Sequence, residues 1–178
     1  MKKILLVLSL LLLTACSAAP VAKDTAIVAE RSAPEVAVNY NNGSVMDIMN
    51  FRTSDSMDLI SENRIIRTFE EFEAYNSDYT ILENPFFIDD QSLNKLQKVN
   101  EEYFEKHGFV AVILVESSGS NSVVGENLVL KESTAEAFIN RTEAGIGTSD
   151  IATRHILYVV NQEDLKNIKE VKVAVSLK

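Results

Sequence analysis

The chain has 178 residues, with 26 acidic and 17 basic side chains and a formal net charge of -9. That balance argues against a phosphate-binding surface of clustered Lys and Arg, so nucleic acid is not an expected partner. A single Cys excludes an intramolecular disulfide and any multi-cysteine metal site, while 6 Gly, 3 Pro and no Trp exclude collagen-like and low-complexity architectures. The length fits one domain.

Lys2 and Lys3 stand ahead of a mostly apolar stretch from Ile4 to Leu13. At about 1.5 Å per residue it covers roughly half a bilayer core, too short for an ordinary transmembrane helix and right for a secretory signal. Its end, Leu13-Thr14-Ala15-Cys16, resembles the bacterial lipobox. The resemblance implies cleavage ahead of Cys16 and a diacylglycerol group on the Cys16 thiol. The expectation is therefore a signal peptide over 1–15, with the rest held outside the cytoplasm on a bacterial membrane through lipidated Cys16. An unlipidated signal cut after Ala15, or near Ala18-Ala19, is the competing reading.

Residues 16–57 read as a flexible tether. Ser17-Ala18-Ala19-Pro20, Ala33-Pro34 and Asn39-Tyr40-Asn41-Asn42-Gly43-Ser44 hold few large apolar groups. Such a run buries too little surface to offset its ordering entropy. Val45 to Met49 could instead form a short helix or dock, but the tether is the expectation. The domain is expected over 58–178.

Within it, Ile65-Ile66 predicts a short strand. Thr68 with Glu71 three residues on forms a capping-box pattern, and Phe69, Phe72 and Tyr75 at helical spacing predict a helix over 69–77. Asn84-Pro85 is a break. Asp89 or Asp90 caps a second helical stretch carrying Leu93, Leu96, Asn100, Tyr103 and His107, with Asn100 a point of interruption and Gly108 the expected stop. The seven apolar residues Phe109 to Val115 predict a central strand covered on both faces. Ser117 to Asn121 is a turn, and 122–130 with 134–142 read as a hairpin around Lys131-Glu132-Ser133. Gly145 and Gly147 mark a loop, His155 to Val160 a strand, and Asn161 the cap of a short helical turn. Val171, Val173, Val175 and Leu177 alternate toward a core. The fold class expected is α+β: a largely antiparallel sheet with the N-terminal helices packed on one face.

Three motifs carry a family resemblance: Glu102-Tyr103-Phe104 before the apolar strand, the turn Ser118-Gly119-Ser120, and Gly147-Thr148-Ser149-Asp150-Ile151-Ala152 leading to His155-Ile156. On these the stretch 65–177 resembles the PrcB C-terminal-domain family of secreted bacterial lipoproteins. Arg154 departs from the aromatic or apolar residue expected before the His. The resemblance implies an accessory subunit of a surface protease complex and supplies no catalytic residue.

Ser149, Asp150 and His155 invite a triad reading, as a small hydrolase. Gly147 to Ile151 lacks the final Gly of a nucleophile elbow, however, and adjacent Ser and Asp serve one imidazole poorly. A helical turn capped by Thr148, Ser149 or Asp150, with Asp150 facing Arg154, is the expected use. His107 and His155 lack the clustered third and fourth ligands of a zinc site. Phe69, Phe72, Phe86, Phe87 and Phe104 read as core. The sequence therefore predicts a non-catalytic binding or accessory subunit with no cofactor or metal, whose partner is another extracytoplasmic protein. Ser118, Gly119, Ser120, Thr148, Ser149 and Asp150 are the candidate contact residues. A receptor for an envelope ligand, marked by a deep pocket, is the remaining alternative.

Overall fold

The computed structural model describes residues 45–53 and 60–178. The signal at 1–15, Cys16, the tether as far as residue 44 and residues 54–59 lie outside the described residues. The described chain is mostly β. In order it runs β1 (Val45–Thr53), β2 (Glu62–Ile66), α1 (Phe69–Tyr79), α2 (Asp90–Leu96), a 3-10 turn (Glu102–Glu105), β3 (His107–Glu116), β4 (Ser122–Lys131), β5 (Thr134–Thr142), β6 (Ala152–Asn161), α3 (Gln162–Leu165) and β7 (Glu170–Leu177).

Local chemistry sets the helix starts. Thr68 is extended, its hydroxyl accepts the Glu71 N–H at 3.2 Å, and the Glu71 carboxylate accepts the Thr68 N–H at 3.2 Å. Asp89 caps α2 by accepting the Ser92 N–H at 2.9 Å. This helix stops after Leu96, and the Asn100 side chain caps the following 3-10 turn through the Tyr103 N–H. Tyr103 and His107 thus lie beyond the helix that carries Leu93 and Leu96.

The strands form two sheets. The first is antiparallel throughout, in the order β1-β6-β3-β2; the second is mixed, in the order β4-β5-β7, with β5 and β7 parallel. The expected single sheet is corrected on this point, because α3 returns the chain to pair alongside β5 in the same direction. Strand alternation divides the core in two. Phe109, Ala111 and Ile113 of β3 join Leu157 and Val159 of β6 in a buried cluster with Phe72, Tyr75, Tyr79, Leu96 and Phe104. Val110 and Val112, with Ile156, Tyr158 and Val160, form the other cluster with Leu128, Ala137 and Ile139 of the second sheet. The strand at 109–115 is therefore covered on both faces, as its unbroken apolar run predicts.

Several expectations give way. Residues 45–53, placed in the tether, form an edge strand paired with β6 from Val45 opposite Val160 to Thr53 opposite Thr153. Met49 and Phe51 enter the core from alternate positions, a period diluted in sequence by Met46, Asp47, Asn50 and Arg52. Gly108 does not stop a helix; it lies in β3, and no Gly among the described residues has positive φ. Gly is needed there because a Cβ would stand 2.8 Å from the Ile66 carbonyl oxygen and 2.6 Å from Leu165. Asn161 makes no side-chain cap to α3. Val171 and Val173 pack against the core, but Val175 and Leu177 are 46% and 71% exposed, because β7 is an edge strand.

Candidate functional site

The turn 117–121 and the loop 143–150 meet at one end of the two sheets, beyond Thr53 of β1, Glu116 of β3 and Ala152 of β6. The Gly119 N–H donates to the Asp150 carbonyl at 2.9 Å and to its Oδ1 at 3.2 Å. Thr148 Oγ1 lies 3.1 Å from Ser120 Oγ and 3.4 Å from Ser118 Oγ, and the Thr148 N–H donates to Ser120 Oγ. Five of the six candidate contact residues are thus brought together. Ser149 is the exception: it is exposed on the same loop.

The helical turn expected at 148–154 is absent, since β6 begins at Ala152. Asp150 still accepts a backbone N–H, but it is Gly119's, from the facing turn, and not that of a helix. Its ion pair is also a different one. Arg52 Nη2 of β1 lies 2.7 Å from Asp150 Oδ2, and hydrogen bonding by Thr148 and Arg52 holds the carboxyl down at about 2. Arg154 turns instead to the Gly119 and Asn121 carbonyls, each at 2.7 Å.

Beneath the loops lies a buried polar layer. Arg52, Glu116 and Asn121 are all under one-tenth exposed. The Glu116 carboxylate accepts from Arg141 Nε and Nη2 at 2.9 Å and from Asn121 Nδ2 at 2.8 Å. Burial works to raise the Glu116 pKa, but the Arg141 and Asn121 hydrogen bonds overcome it and keep the carboxyl ionised. Arg154 is pushed the other way, down, by burial and by its neighbour Arg52. Each charge here meets an opposite charge or a carbonyl, which is the condition for keeping charge out of water.

Two aromatic residues expected in the core sit outside it. Phe86 and Phe87 are exposed, Phe87 by 70%, and their rings lie 5.2 and 5.4 Å from the Arg52 guanidinium carbon. The Arg52 N–H donates to the Phe87 carbonyl, and Phe87 has φ 48, a costly conformation for a large side chain. The break at Asn84-Pro85 leaves the segment without a helix or strand to turn it inward. Ile146, 94% exposed, projects from the neighbouring loop. Phe69, Phe72 and Phe104 do pack in the core or against it.

No protein-family model matches the chain, and neither a curated protein nor a solved structure is significantly similar to it.

His155 has its own buried setting. It is 1% exposed, stacks on Phe51 at 4.9 Å, and its Nε2 and Nδ1 lie 2.9 Å from Thr53 Oγ1 and 2.8 Å from Tyr75 Oη. Burial, then the Arg64 charge, lower its pKa to about 3, so it is neutral at physiological pH. Both ring nitrogens are occupied by these hydroxyls, and Ser149 is not among its hydrogen-bond partners. Among the described residues no group of three His, Cys, Asp or Glu side chains could hold a metal ion.

An apolar recess lies elsewhere, between β1, α2 and β3. It measures about 360 Å³, is floored by Met49, Val99, Phe109 and Val159, and has Lys95, Lys98 and His107 at its walls.

Sequence reasoning missed Arg52, Phe86 and Phe87. The only sequence signal was negative: two adjacent Phe after Asn84-Pro85 without helical or strand periodicity around them.

Proposed function

We propose that this protein is a membrane-anchored extracytoplasmic lipoprotein, lipidated at Cys16, whose domain is a non-catalytic binding or accessory subunit for another extracytoplasmic protein. The contact surface is the loop end, formed by 117–121, 143–150 and Phe86-Phe87. One observation carries this reading: Phe87, largely exposed, is held in a strained conformation over a guanidinium that is itself fixed by Asp150. Aromatic side chains presented on an ordered base, beside Arg, are the residue types that dominate binding energy at protein interfaces. The resemblance to the PrcB family favours a surface protease complex as the setting, an analogy of motif rather than of site.

The test is crosslinking in native cells from a photoreactive residue at Phe87, with one at Met46, exposed at the opposite end of β1, as the remote control. Capture of one extracytoplasmic protein from position 87 alone, lost on Ile146→Ala or Gly119→Ala, is the expected result. Equal capture from both positions, or none from 87, overturns the docking surface. Mass spectrometry of the mature N-terminus should find diacylglyceryl-modified Cys16; an unmodified chain starting elsewhere overturns the anchor.

A further inference from the structure

The outer edge of β7 is complementary to itself. Glu170 and Lys178 donate their N–H groups to Ser133 and Arg141 carbonyls, on the β5 side. Peptide groups alternate along a strand, so the even-numbered residues of β7 bond β5. Val171, Val173, Val175 and Leu177 therefore turn their N–H and C=O groups away from β5, toward an edge that β2 approaches without ladder pairing. The same four side chains lie on the face of the second sheet that meets the first, being in register with Ala135, Ala137, Ile139 and Arg141. Coverage fails along the strand: Val171 and Val173 pack on the core, while Val175 and Leu177 stand 46% and 71% exposed. An apolar edge with open hydrogen-bonding groups is a template for another strand.

We propose that the protein forms a two-fold dimer through antiparallel pairing of β7 with β7 of a second copy, centred on Ala174. In that register Val173 faces the partner's Val175 and Val171 faces the partner's Leu177. These pairs fall where the free peptide groups point, so both would be hydrogen-bonded pairs. Each poorly covered side chain is then set against a better covered one, and Glu170 comes opposite the partner's Lys178 at both ends. Sliding the partner by one pleat in one direction sets Lys172 against Lys178. Sliding it in the other sets Glu170 against Ser176 and loses the ion pairs. Only the centred register satisfies the hydrogen-bond parity, the apolar pairing and the charges together. The present pairings of these groups, Lys172 with Glu170 and Lys178 with Glu126, are both 3.6 Å long and solvent-exposed, so they compete weakly. The two mixed sheets would join into one continuous sheet by an isologous contact. This edge reaches the loop end only at Leu177 and Lys178, beside Arg141, and the pairing does not depend on the docking reading.

The test is sedimentation velocity over a wide concentration range, on the chain from Ser17 onward, so that neither the apolar signal, the lipid nor the thiol adds a route of association. A monomer–dimer equilibrium is expected. Val175→Pro removes only a free-edge N–H, so it should give a monomer with an unchanged circular dichroism spectrum. Glu170→Lys or Lys178→Glu alone should weaken the dimer at least about tenfold, a change of about 1.4 kcal/mol, and the double swap should restore it. Ala174→Cys should form a disulfide between the two copies at that position. A monomer at every concentration overturns the proposal, as does a dimer indifferent to the charge swaps. If Val175→Pro fails to fold, the charge swaps and the position-174 crosslink decide.

Discussion

Arg52 and Arg154 stand directly opposite each other across β1 and β6, and both guanidinium groups reach the Gly119 carbonyl, at 3.5 and 2.7 Å. Two neighbouring cations on one acceptor persist because Asp150 and Glu116 lie around them, and because the Asn121 carbonyl takes a second bond from Arg154. Arg154→Met keeps the bulk and removes the donors. It should cost about 2–3 kcal/mol, since two carbonyls lose charged partners, and chemical denaturation will show it. Amide exchange in 117–121 and 143–150 should quicken more than in β3.

Gly119→Ala is a sharper probe of the same corner. A Cβ there would stand 2.1 Å from Asp150 Oδ2 and 2.6 Å from Arg52 Nη1, so the carboxylate must leave. In a carboxyl NMR titration the Asp150 midpoint, about 2 in the native protein, should rise to the ordinary aspartate range. The native carboxyl is depressed, so its contribution to stability is present above about pH 4 and is lost as pH falls toward 2. The variant should lack that part of the acid limb.

His155 acts over a window that begins higher and overlaps that of Asp150 between about pH 4 and 3. The unfolded chain takes up a proton on His155 below about pH 6.5, which the folded chain refuses until about pH 3. Stability should fall as pH drops between these values, by at most about 1.4 kcal/mol per pH unit from this one group. Thermal melts of His155→Gln should show a flatter slope there. An unchanged slope would mean that His155 is protonated inside the fold.

Ile113 is fully buried between His155 and Glu62 in the register of the four-stranded sheet. Ile113→Asp should cost more than about 4 kcal/mol and leave the domain unfolded. Loss of cooperative melting is the readout.

Limited proteolysis should leave a core that starts ahead of Val45. A chain begun at residue 58 would lack β1, exposing the edge of β6 and removing Thr53 and Phe51 from His155. It should aggregate, whereas a chain begun near residue 40 should fold.

Local signals were readable. The capping box at Thr68 and Glu71, the cap at Asp89, the doubly covered strand at 109–115 and the hairpin at 122–142 all follow from side chains acting on near neighbours. What escaped depends on distant partners. β1 looked like tether because only every second residue is buried on each face and its polar positions are satisfied from afar: Asn50 by Gly125, Arg52 by Asp150, Asp47 by Lys95. The loops 117–121 and 143–150 were legible as candidates from their small and polar residues. That Asp150 would answer to Arg52, 98 positions away, was not. Phe86 and Phe87 were misplaced for a related reason, since apolar character alone says nothing about whether a cover exists.

β1 runs the length of its sheet, from Val45 beside Val160 to Thr53 beside Thr153. The polypeptide therefore enters this strand at the end remote from the 117–121 and 143–150 loops. A pull applied to the chain ahead of Val45, against a grip on those loops, would run along the strand axis. The ladder bonds between β1 and β6 lie across that axis. They would share the load together in shear instead of opening one at a time, so the strand mistaken for a slack leash would be the part that bears tension.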